Sequence, residues 1–101
     1  MYTLVWSAGF TRSAEKFIKR HPVLKDKFVS VIRDLENNPF QPHLKYHQLG
    51  GNFKDIQAVS ITYSYRITLT IIVTDREIIL LDVGSHDEAV INPLGKAENT
   101  A

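Results

Sequence analysis

The chain has 101 residues, 44% of them hydrophobic, and a net charge of +1: enough apolar content for one small core, and too little charge to announce nucleic-acid binding by its total. It holds no cysteine, which excludes a disulfide framework and thiolate chemistry and suits a reducing compartment, read here as the cytoplasm. No apolar run approaches the length of a membrane span, and the N-terminus lacks a basic-then-apolar leader pattern. The charge is unevenly spread. Residues 1–54 carry nine Lys/Arg against four Asp/Glu, a net +5, and residues 55–101 carry three against seven, a net −4. A basic first half suits an RNA or phosphate-rich partner, and a solvated helix face is the plain alternative.

Tyr2 to Trp6 is β-branched and aromatic and reads as a short strand. Ser7 is placed to cap a helix on which Phe10, Ala14, Phe17 and Ile18 form one apolar stripe. His21-Pro22 ends that helix, because the residue before proline disfavours helical geometry. Pro22 suits the first turn of a second helix, where Leu24, Phe28, Val31, Ile32 and Leu35 repeat the pattern until Asn37-Asn38-Pro39 stops it. Two such helices form a hairpin whose joint apolar face must lie on a sheet.

Phe40 to Gly51 reads as a connector. Three strands follow: about Phe53 to Thr62, Tyr65 to Val73, and Ile78 to Val83 after a turn at Thr74 to Glu77. The middle strand alternates Tyr65, Ile67, Leu69, Ile71 and Val73 against Arg66, Thr68, Thr70 and Ile72, so Arg66 is expected on the open face, opposite the helices. Gly84 permits a sharp exit to Ser85 and His86. The expected fold class is α+β: a single small domain over residues 1–92, order β-α-α-β-β-β, with a helical hairpin on one face of an antiparallel sheet. Residues 93–101 are expected to be a flexible tail. Trp6, Phe17, Phe28 and Tyr65 are core by default.

A guanidinium held on a rigid sheet with imidazole at its rim is an arrangement that handles a phosphodiester. Several motifs in order then carry a resemblance: Asn38-Pro39-Phe40, Leu44-Lys45, His47, Leu49 and Gly51 in the connector, Tyr65-Arg66-Ile67 on the central strand, and Gly84-Ser85-His86-Asp87-Glu88 after the last. With the element order, they resemble the RelE/ParE superfamily of toxins from bacterial toxin–antitoxin pairs, above all its RelE and YafQ-like branches. The resemblance covers about Leu4 to Val90.

The resemblance implies a ribonuclease that cuts mRNA in the ribosomal decoding site, held inactive by a cognate antitoxin, with operator DNA reached only through that antitoxin, and with no cofactor, metal or membrane. It places Arg66 at the position of a catalytic arginine, and His47 and His86 at those of catalytic histidines. Where YafQ-like members carry a histidine and an aspartate on the sheet, this chain has Ser60 and Ser64. Where RelE has two lysines, it has Gln57 and Val59.

Metal-free RNA cleavage needs a base for the ribose 2′-OH, positive charge on the phosphorane, and an acid for the leaving 5′-oxygen. Histidine suits the proton transfers and arginine the phosphorane. Lys45 and Lys54 would add phosphate contacts, and Tyr46, Tyr63 or Tyr65 a stacking platform. Each residue has a plain alternative: Arg66 pairing with Asp82 or Glu77, His86 as a turn residue, His47 as a surface histidine. His43 and His47 invite a zinc reading, which the absence of a third ligand and the loop context around Pro42 weigh against. Two other functions compete with the nuclease: a ParE-like inhibitor of DNA gyrase, and a catalytically degenerate member that retains antitoxin binding.

Overall fold

The computed structural model describes residues 1–85. The expectations for His86, for a domain boundary at 92 and for a flexible tail at 93–101 lie outside the described residues. The elements are β1 (Thr3–Trp6), α1 (Ala8–Arg20), α2 (Lys25–Asn37), β2 (His47–Gln48), β3 (Gln57–Ser60), β4 (Tyr65–Ile72) and β5 (Glu77–Ser85), with single 3₁₀ turns at Pro22–Leu24, Pro42–Leu44 and Gly51–Phe53. The two helices pack on one face of a sheet ordered β1-β5-β4-β3-β2, an α+β fold. The sheet is mixed: β2 to β5 pair antiparallel, while β1 runs parallel to β5, with Thr3 opposite Glu77 and Trp6 opposite Leu80. The meander thus ends with β5 beside β1, the first strand of the chain.

Local chemistry explains the helices. Ser7 is the N-cap of α1: its Oγ accepts the Phe10 N–H at 3.0 Å and donates to the Leu80 carbonyl at 3.1 Å, tying helix start to sheet. Pro22 opens a 3₁₀ turn that runs straight into α2. The expected stripes face the sheet. Phe10, Ala14 and Phe17 of α1 and Phe28, Val31 and Leu35 of α2 are buried against Val59, Ile67, Leu69, Ile78 and Leu80. Phe28 stacks on Phe10 at 6.3 Å and tilts against Phe17 at 6.1 Å.

The strands are shifted from the expected limits. The first of the three is shorter, Gln57 to Ser60, because Gly51–Phe53 takes a 3₁₀ turn first. The last is longer and irregular. Leu80 lies opposite Leu69 and Asp82 opposite Thr68, which leaves Leu81 as a bulge. Leu80 and Val83, three apart, both join the core; a regular period-two strand would put them on opposite faces. Trp6, expected in the core, is 45% exposed, since it sits on the edge strand with its ring edge-on to Phe10 at 5.0 Å.

Phe10 has no exposed surface and touches both the β1 and α2 aromatics. Phe10→Ala should cost about 3–5 kcal/mol in urea unfolding, whereas Val23→Ala, at a side chain 89% exposed, should stay within about 0.5 kcal/mol of wild type.

Candidate functional site

Arg66 lies near the start of β4, between Tyr65 and Ile67. Ile67 belongs to the core on the helical side, so alternation turns Arg66 to the other face, as expected. That face is not open at this point: Arg66 is only 7% exposed. Its Nη1 lies 3.4 Å from Nε2 of His47 on β2, two strands away. The register explains how it reaches. Arg66 is opposite Ser60, and His47 is opposite Ala58, so the guanidinium crosses β3 over two small side chains. Ala58 is fully buried yet stands outside the helix-side core cluster, as a residue beneath such a crossing should.

The imidazole is oriented from its other side. His47 Nδ1 is 3.0 Å from the Lys45 carbonyl oxygen, which only accepts. Nδ1 therefore carries the proton and donates it, and Nε2 keeps its lone pair toward the arginine, which only donates. Lys45 holds that carbonyl in place from a left-handed conformation, φ 54°, at the end of the Pro42–Leu44 turn. Non-glycine residues rarely adopt this geometry. It turns the connector back to the sheet, so that His47 enters β2.

The remaining expected residues divide between two faces. Ser60 is on the site face, directly opposite Arg66. Gln57 and Val59, the positions matched to two lysines, have register partners Leu69 and Ile67 and so point to the helical side. Ala58 and Ser60 are what β3 presents to the site, which period-two reading of β3 would have revealed. Tyr65 also faces the helices, edge-on to Phe17 at 5.3 Å and 4.6 Å from the His21 ring. Tyr63, in the loop before β4, is 98% exposed; Lys45 and Lys54 are exposed as well, and Tyr46 packs edge-on against Phe40 at 5.0 Å. His43 turns away from His47 and bonds Asp34 on α2 at 2.7 Å. Asp82, one alternative partner for Arg66, is bonded by Ser13 Oγ and the Val83 N–H. His86 follows β5 by one residue and lies outside the described residues.

No family model and no curated protein sequence matches the chain. Solved structures do. YafQ from E. coli superposes with a TM-score of 0.71 at 18% identity, over 85% of this chain and 94% of that one. A metal-bound toxin from Helicobacter pylori gives a TM-score of 0.71 at 26% identity, over 87% and 98%. The YoeB–YefM complex from Staphylococcus aureus gives 0.66 at 15% identity, over 85% and 98%. The fold is that of the RelE/ParE-like toxins. On that fold, this chain carries an arginine on the central strand and brings to it a histidine from the connector.

Long-range ¹H–¹⁵N correlation of the His47 ring should display a protonated Nδ1 and an unprotonated Nε2. A ring dominated by the Nε2–H form would contradict the orientation described here. Arg66→Gln should leave the Nδ1 bond to the Lys45 carbonyl in place and shift only the Nε2 resonance.

Proposed function

We propose that the protein is the toxin of a toxin–antitoxin pair and acts as a metal-independent endoribonuclease on mRNA at the ribosome. The observation that supports this best is the convergence of the Arg66 guanidinium and the His47 imidazole on the sheet face away from the helices. The likeness to toxins, one of them in a YoeB–YefM complex, supports a protein antitoxin as partner. Translating ribosomes and the lack of cysteine both suit the cytoplasm.

In this reading the scissile phosphate draws the Arg66 guanidinium onto two of its oxygens, a bidentate contact that strengthens as charge grows on the phosphorane. That movement frees His47 Nε2, whose lone pair takes the proton of the ribose 2′-OH. The 2′-oxygen attacks the adjacent phosphorus, the bond to the 5′-oxygen breaks, and a 2′,3′-cyclic phosphate and a 5′-hydroxyl result. His86 is the counterpart acid that gives a proton to the leaving 5′-oxygen. Lys45 and Lys54 hold flanking phosphates, and Tyr63 stacks on a base. With Tyr65 packed on Phe17 and His21, the stacking role falls to Tyr63.

Induced expression of the protein, with mRNA ends mapped on translating ribosomes, tests this. Wild type should arrest growth and cut mRNA. Arg66→Ala should lower cutting about 10²–10³-fold, the loss expected for a phosphorane-stabilising donor. His47→Ala and His86→Ala should each lower it about 10²–10⁴-fold, as for proton-transfer groups. Arrest with intact mRNA and a DNA-damage response would redirect the assignment to gyrase inhibition, and absence of arrest to antitoxin binding alone.

A further inference from the structure

A second feature of the molecule has no part in that chemistry. Beyond Trp6 the outer edge of β5 is no longer paired with β1, and α1 runs beside it. Between them lies a groove of about 520 Å³ lined by Arg12, Ser13, Lys16, Arg20, Tyr65 and Gly84, among others. Arg12, Lys16 and Arg20 recur every four residues, so they line one side of the helix at intervals of about 6 Å. All three are exposed. The ion pair among the described residues is His43–Asp34, so none of the three cations is in contact with a described carboxylate. The acid in the described lining, Asp82, is 5% exposed and turned to Ser13 and the Val83 N–H. A row of cations along a groove, with no ion-pair partner among the described residues, suits a ligand with repeated negative charge.

We propose that this groove binds the sugar–phosphate backbone of single-stranded RNA, without reading its bases. Two observations favour RNA over an acidic protein segment. A protein strand laid in the groove would pair with the outer main-chain edge of β5, yet the Val83 carbonyl already accepts from Ser13 Oγ at 3.1 Å and its N–H is held by Asp82 at 2.9 Å. At Val83 the edge is closed to strand addition, which favours the side-chain cations as the recognition element. The groove also ends at Tyr65 and Gly84, the chain neighbour and the cross-strand partner of Arg66. A strand leaving the Arg66–His47 face thus rounds the sheet edge directly onto α1. The choice of RNA as the polyanion rests on the ribonuclease reading; the groove and its charge do not.

The test is fluorescence anisotropy with a short labelled 2′-O-methyl oligoribonucleotide, which lacks the attacking hydroxyl and is not cut, measured over a range of salt. Each phosphate contact to a single strand contributes about 0.7 to the slope of log K against log salt. The triple variant Arg12→Gln, Lys16→Gln, Arg20→Gln should therefore lower the slope by about 2 and weaken binding at low salt. Lys25→Gln, Lys27→Gln, Arg33→Gln on α2 removes the same charge from exposed positions and should leave the slope unchanged. Equal losses in both triples, or no loss in the first, would overturn the proposal. So would a first triple that still binds RNA but loses a glutamate-rich peptide that wild type binds. A wild type whose slope depends on the stripe but that cuts no mRNA would sink the ribonuclease reading and leave the groove standing; cutting with a stripe-independent slope would do the reverse.

Discussion

The two-sidedness of β4 is the constraint on which the molecule depends. Its residues alternate between a face that seals the helical core through Ile67 and Leu69 and a face that carries Arg66 and Thr68. Because β4 is the central strand, bonded along both edges, its register also sets those of β3 and β5. A slip of one residue would put a guanidinium among Phe17, Phe28 and Leu35 and expose two large aliphatic side chains. Burying an unpaired charge costs several kcal/mol or more, so that register is excluded by energy and not merely disfavoured.

The same alternation decides what the site is made of. Arg66 is long enough to cross a neighbouring strand, and β3 lets it cross because Ala58 and Ser60 are small. At the far side His47 meets it, aligned by a carbonyl that belongs to a strained residue, Lys45. A left-handed non-glycine residue persists only where surrounding structure holds it. Here the surroundings are the buried Leu44, the 3₁₀ turn before it and the strand pairing that follows. The imidazole is thus presented by a short, tightly determined segment and not by a free loop.

On the other side of the molecule, a bulge and a hydroxyl solve a different problem. The five-stranded sheet has an outer strand of four residues facing a β5 of nine, so β1 does not reach the end of β5. Leu81 bulges out, Val83 is returned to the core, and Ser13 of α1 bonds the main chain there. The helix takes the place of a strand. What remains beside it is a trough with cations on one side and, on the other, a β5 main chain whose Val83 groups are already bonded.

Much of this was legible from residue order. Both helical stripes, the Ser7 cap, the strand character of Tyr65 to Ile72 and the face on which Arg66 lies are local properties, written in spacings of about 3.6 or 2 residues and in single turn-forming side chains. The two-residue strand at His47, the parallel docking of β1, the exposure of Trp6 and the bulge at Leu81 were not. Each depends on which distant segment arrives alongside, and no local period records that. The sequence by itself determined an α+β domain with an arginine on the face away from its helices. Only the tertiary structure decided that this arginine meets a histidine nineteen positions earlier, and that a serine of α1 closes the edge of a strand seventy positions later. Periodicity assigns a side chain to a face, whereas its neighbours on that face are chosen by strand register, which the packing of the whole core sets.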